Sequence, residues 1–257
     1  MPTRYLILIG EHSYFSAKLR SYMRYKGAQG GELFFDEALA TLDMYRRVIL
    51  PLTQAHFIPV LLVRDVVSGK VVKALQDTSL IIDWLESQHP QPSIHPPENS
   101  VLKFISFVLE AFGDEWMKFP AMHYRWSFLD DNEKYLVYEW GRNSAPTLPA
   151  KERDALVISA KSGPSFSAMK RTLPILGITE NSVGQVEATF LELLDLMNQH
   201  FSVHEYLLGD SPSLADFSLY GPFFAHLYKD PKPSLIVRSR APGMRICSSF
   251  EFFPACM

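Results

Sequence analysis

The chain has 257 residues, of which 47% are hydrophobic and 21% charged, with a net charge of −3. At roughly 150 residues per domain this is room for two modest globular domains, and the composition excludes a mainly disordered or fibrous chain. There is no basic excess of the kind a dedicated nucleic-acid binder carries. The longest apolar runs, 5–9 and 57–63, fall far below the roughly 20 residues that cross a bilayer. The expectation is a soluble, cytoplasmic protein with neither nucleic acid nor membrane as partner. Its two cysteines, Cys247 and Cys256, stand close together near the end. No disulfide framework spans the fold, and chemistry in the body of the chain must run without a protein thiol. His200 and His204 share an i, i+4 spacing but lack an evident third ligand, so no metal site is expected.

In chain order, Tyr5-Leu6-Ile7-Leu8-Ile9 reads as a strand buried on both faces. Phe15, Leu19, Tyr22 and Met23 then mark one face of a helix, with Gly27 placed to end it. Leu33-Phe34-Phe35 reads as a short second strand. A helical pattern around Leu39, Leu42, Met44 and Tyr45 follows, ending by Pro51. Segments 57–63 and 70–74 flank Ser68-Gly69 and form a hairpin. Asp77-Thr78-Ser79 opens a helix carrying Leu80, Ile81, Trp84 and Leu85. The order β-α-β-α-β-β-α defines an α/β domain over 1–88.

Pro90, Pro92, Pro96 and Pro97 make 89–99 an extended linker. From 100 to 257 helical patterns dominate, at about 101–116, 132–140, 151–161, 183–201 and 214–228. Gly221-Pro222 breaks the last. Ser182 with Gln185 three later has the form of a capping box for the long helix. The second domain is all-α, and its tail from about 243 lacks a helical period. The 238–242 segment reads as the approach to a further helix.

Four segments carry more than fold. They are Ser13-Tyr14-Phe15-Ser16-Ala17-Lys18-Leu19-Arg20 after the first strand, Ile58-Pro59-Val60, Gln76-Asp77-Thr78-Ser79-Leu80-Ile81, and Ser213-Leu214-Ala215-Asp216-Phe217. In this order, over about residues 5–230, they resemble the landmarks of the serine-type glutathione S-transferases. The resemblance implies a thioredoxin-like α/β N-terminal domain, an all-α helical C-terminal domain and a homodimer. Glutathione is then the co-substrate, and a small apolar electrophile its partner. Ser13 would activate the thiol, Ile58 and a cis Pro59 would pair with the peptide backbone, and Asp77 and Thr78 would hold the γ-glutamyl end. A zeta-like glutathione-dependent isomerase and a non-catalytic interaction module are the alternatives.

The residues can be read beside that likeness. Ser13 stands where strand passes to helix, so a helix N-cap is its plain role. The glutathione thiol starts near the cysteine value of about 8.5, and lowering it to about 6.5 takes roughly 2.7 kcal/mol. One hydrogen bond to the thiolate supplies about 1.5–3 kcal/mol and the helix dipole about 0.3–1 kcal/mol. A hydroxyl there is sufficient, without an imidazole base. Asp77 and Thr78 begin a helix, whose free N–H groups suit a carboxylate. Tyr14 stands where relatives have proline and is a second candidate to reach the thiol. Trp116 and Tyr124, in the aromatic stretch 115–126, are candidates for the apolar substrate wall, with core packing as their alternative. Arg125 is placed to meet a substrate anion or an internal carboxylate such as Asp114. Ser213 and Asp216 read as a structural cap.

Overall fold

The computed structural model describes residues 4–28, 33–97, 100–161 and 164–244. Cys247, Cys256 and the tail beyond 244 lie outside them. A four-stranded mixed sheet runs β2-β1-β3-β4. Its strands are β1 (Tyr5–Ile9), β2 (Phe35–Leu39), β3 (Val60–Arg64) and β4 (Val71–Gln76). β1 pairs in parallel with β2 and antiparallel with β3, so Tyr5 stands opposite both Phe35 and Val63. The parallel pair needs a crossover, which α1 (Tyr14–Ala28) supplies. The apolar runs of β1 and β3 follow from burial on both faces. Ile7, Ile9, Leu61 and Val63 pack on one side with Leu19, Tyr22 and Met23 of α1. Leu8, Val60 and Leu62 pack on the other with Ala40 and Ile49.

β2 begins where the sequence pattern ends it. It covers Phe35–Leu39, and the helical stretch expected from Leu39 starts only at Leu42. Two charged residues in the strand hide its character. Asp36 pairs with Arg64, and Glu37 with Arg20 and Arg24, so an edge strand accommodates both. Between β2 and β3 run α2 (Leu42–Met44), a π-helical turn (Tyr45–Ile49) and α3 (Leu50–Thr53). The hairpin turn sets Gly69 at φ 69°, where a side chain would be strained. After β4, α4 (Thr78–Gln88) lays Ile81, Ile82 and Leu85 against the sheet.

The second half is helical among the described residues. It contains α5 (Val101–Ala111), a π-helical turn (Phe112–Trp116), α6 (Lys118–Trp126) and α7 (Leu129–Ser144). Then come α8 (Ala150–Lys161), α9 (Pro164–Ile175), α10 (Val183–Phe201), α11 (Leu214–Pro222), a second such turn (Phe223–Leu227) and α12 (Pro231–Arg240). α10 has the expected bounds, but the expected capping box is not formed. Ser182 Oγ instead donates to the Gly177 carbonyl and accepts the Thr179 N–H. α6 escaped the pattern because it is short, carries Pro120 near its start and buries two polar side chains, His123 and Arg125, beside Ala121, Tyr124 and Trp126. α12 opens with Pro231, which suits a first helical turn. The Ser213 main-chain N–H and hydroxyl both donate to Asp216 Oδ2, at 2.8 and 2.7 Å, and the Leu207 N–H donates to Oδ1.

The halves meet along α1 and α11. The contact is close because position 221 is glycine: a Cβ there would stand 2.8 Å from the Tyr14 carbonyl oxygen. Lys18, wholly buried on α1, reaches Glu110 at 2.8 Å and Asp114 at 2.6 Å on the helical side.

Candidate functional site

A cleft of about 330 Å³ opens between the halves. The residues before β3 contribute Phe57, Ile58 and Pro59, joined by a cis Ile58–Pro59 bond. The end of β4 and the start of α4 contribute Gln76, Asp77, Thr78 and Ser79. The opposite wall is Phe15 from α1 with Asp114, Glu115 and Lys118. Four of the sequence-predicted residues, Ile58, Pro59, Asp77 and Thr78, therefore stand together.

Each is positioned by local structure. Ile58 precedes β3, and its main-chain N–H and C=O make no hydrogen bond among the described residues. Asp77 has φ 85° and ψ 122°, outside the left-handed helical well that Asn and Asp tolerate and costly for any residue with a side chain, a strain of the kind often kept at ligand-binding positions. This turn aims its carboxylate along α4, where Oδ1 accepts the Ser79 N–H at 3.0 Å and the Leu80 N–H at 3.4 Å. Thr78 is buried in the first turn of α4. Ser79 Oγ donates to Glu110 Oε1 at 2.9 Å, tying the start of α4 to α5.

Ser13 is not among the residues lining the cleft. It caps α1, its Oγ accepting the Ser16 N–H at 3.3 Å, and its own N–H donates to the Gly10 carbonyl at 3.0 Å. Gly10 is flanked by both Ser13 and Ile58: a Cβ on it would lie 2.8 Å from Ile58 Cδ1 and 3.4 Å from Ser13 Cβ. Tyr14 is directed elsewhere than the sequence suggested. Its ring is buried in the helical core and its hydroxyl donates to the Gly113 carbonyl. Burial, with Asp114 and Glu115 nearby, pushes that hydroxyl well above the ordinary phenol value, so it stays protonated. Tyr124 is core, and Trp116 stacks on Phe112 at 4.9 Å; neither lines the cleft.

Burial raises Asp114 above the usual carboxylate range although Lys18 beside it acts to lower it. Lys118 is held by Glu115 at 2.8 Å and lies 5.7 Å from the centre of the Phe15 ring.

Two residues outside the cleft secure the loop that carries Ser13. Asn143 Oδ1 accepts the Glu11 N–H at 3.3 Å, while its Nδ2 donates to the Ala40 carbonyl at 3.1 Å. Arg125 donates from Nη1 to the His12 carbonyl at 3.0 Å. The carboxylate that Arg125 meets is Asp230, not Asp114, through Nε at 2.6 Å and Nη2 at 2.7 Å. Sequence reasoning missed Asn143 altogether, since no local signal links it to a loop more than 130 positions earlier.

Residues 11–93 match the family model described as the glutathione S-transferase N-terminal domain. No curated protein sequence matches the chain significantly. Among solved structures, a glutathione S-transferase from Rhodospirillum rubrum F11 is similar over 93% of this chain and 83% of its own. The TM-score is 0.57 and the identity 15%. The β-etherase LigF from Sphingobium sp. strain SYK-6 is similar over 94% and 91%, with TM-score 0.58 and 14% identity. A rice glutathione S-transferase solved in complex with glutathione is similar over 100% and 88%, with TM-score 0.52 and 17% identity. The fold is thus that of the glutathione S-transferases, a thioredoxin-like sheet followed by an all-helical half.

Proposed function

We propose that this chain is a serine-type glutathione transferase, with glutathione bound in the interdomain cleft and a small apolar electrophile as second substrate. The observation that carries the reading is the meeting of unbonded Ile58 main-chain groups with the N-terminus of α4 in one cleft. Those main-chain groups suit the peptide backbone of the tripeptide. The Thr78 N–H, the first-turn donor that the Asp77 cap leaves open, and the Thr78 hydroxyl suit its γ-glutamyl carboxylate. Asp77 caps α4 through Oδ1, which leaves Oδ2 for the ammonium group.

Ser13 Oγ accepts from Ser16, so its own proton remains available for the sulfur anion. The thiol proton leaves to solvent, the thiolate forms a bond to the electrophilic carbon, and the leaving group departs with its electron pair. Phe15 and Phe57 offer apolar surface for that partner. Ser13→Ala should cut conjugation at least tenfold and raise the thiol pKa read from thiolate absorbance, with glutathione affinity nearly unchanged. Equal turnover in the variant would refute the role of Ser13.

A second reading, glutathione binding without turnover, is favoured by Ser13 standing outside the cleft lining. Binding in the wild type with no thiolate signal at neutral pH would select it. The zeta-like isomerase would use the same thiolate and is separated from the transferase by product analysis. We also propose a homodimer through α5. Val101, Phe104 and Val108 are exposed there, as is Leu80 beside the Ser79–Glu110 link. Phe104→Asp should give a monomer in sedimentation analysis.

A further inference from the structure

A second constellation lies in the helical half, apart from the cleft. His123, near the end of α6, has its imidazole almost wholly buried. Its Nε2 is 2.9 Å from Glu187 Oε1 on α10, and its Nδ1 is 3.0 Å from Ser127 Oγ one turn further along. A carboxylate only accepts, so Nε2 carries the proton. In the neutral ring Nδ1 then presents a lone pair, and the Ser127 hydroxyl donates to it. A hydroxyl bonded to a base that a third group orients is the arrangement of an activated nucleophile, recognised by roles and geometry rather than by sequence order. Here Nδ1 serves as the base and Nε2 as the anchored nitrogen.

Two features of the surroundings point the same way. Ser127 is exposed, whereas its base is shielded from water. Two residues beyond it α7 begins, and the capping residue Phe128 makes no side-chain hydrogen bond to the first turn. That turn therefore keeps main-chain N–H donors for a developing oxyanion close to the serine. Asp131 in the turn is opposed by Lys232 at 3.6 Å. Phe128, next to Ser127 and only partly buried, offers apolar ring surface there, its other face stacked at 5.7 Å on the buried Tyr124.

We propose that Ser127, His123 and Glu187 form an ester-cleaving site for small aryl esters with short acyl groups. Ser127 Oγ bonds to the acyl carbon as its proton passes to His123 Nδ1. The ester C–O bond then breaks, and the phenol leaves with that proton. Water attacks the acyl-serine, again giving its proton to Nδ1, and the proton returns to Ser127 Oγ as the acid departs. The site is independent of glutathione.

The experiment treats the full chain with a fluorophosphonate probe, locates the adduct by peptide mass spectrometry and follows 4-nitrophenyl acetate hydrolysis. The adduct is expected on Ser127. Ser127→Ala should abolish both labelling and the enzymatic part of the hydrolysis. Glu187→Gln alters a half-exposed residue, so the fold is kept (checked by circular dichroism), and both rates should fall at least tenfold. No adduct, an adduct on another serine, or unchanged rates in either variant would overturn the proposal.

Discussion

Asp230→Asn tests whether the Arg125–Asp230 pair organises the region behind Ser13. The side chains are 3% and 0% exposed, and both guanidinium contacts to the carboxylate are under 2.8 Å. Arg125 also donates to the carbonyls of Ala225 and His12 and lies 2.9 Å from His226 Nε2. The substitution conserves volume but leaves a buried cation that cannot lose its proton, so about 3–5 kcal/mol of stability should be lost. Against a total of about 5–15 kcal/mol this is a large share. At about 2–4 °C per kcal/mol for a chain of this size, Tm should fall by about 6–20 °C. Thermal unfolding followed by circular dichroism, with urea titration for the free energy, measures both. Arg125→Lys should not escape the loss, because an ammonium cannot make the bidentate contact and reach two carbonyls as well. A cost below about 1 kcal/mol for either variant, smaller than a typical buried-pair loss, would refute the argument.

Asn143→Ala removes the partners of the Glu11 N–H and the Ala40 carbonyl. About 1–3 kcal/mol per stranded group is at stake, and in the glutathione complex thiolate absorbance should move to higher pH with little change in Kd. Gly221→Ala forces a methyl group against the Tyr14 carbonyl and should cost about 1–3 kcal/mol by denaturant titration. Acid should destabilise the protein through His12, which burial and then the Arg125 and Lys229 charges bring down from 6.5 to about 3. Between those values the unfolded chain binds the proton and the folded chain does not. Stability is therefore intact above about pH 6.5 and falls by up to about 1.4 kcal/mol per unit below it. His12→Phe, which preserves stacking on Trp140, should flatten the Tm profile between pH 6.5 and 4.

What could be read from the sequence was what local periodicity or a local cap encodes. β1, β3 and α10 have clean apolar patterns, and Asp77 caps the helix that follows it directly. β2 was misplaced because partners distant in sequence, Arg20, Arg24 and Arg64, make its two charges tolerable. α6 was overlooked because it is short, has Pro120 near its start and buries the polar His123 and Arg125. The hydroxyl of Tyr14 and the guanidinium of Arg125 found partners about 100 positions away, which no spacing rule anticipates. Long-range polar pairing is the part of this fold that local patterns leave unwritten.

The seam between α1 and α11 has a consequence for ligand traffic. Backbone touches backbone at Gly221, and Lys18 bridges the halves, so they cannot hinge apart without exposing a buried cation. Of the segment 42–57, which precedes β3, it is the exposed Phe57 that lines the cleft. Substitutions around Phe57 can therefore retune which molecules are admitted while the framework beneath stays unaltered.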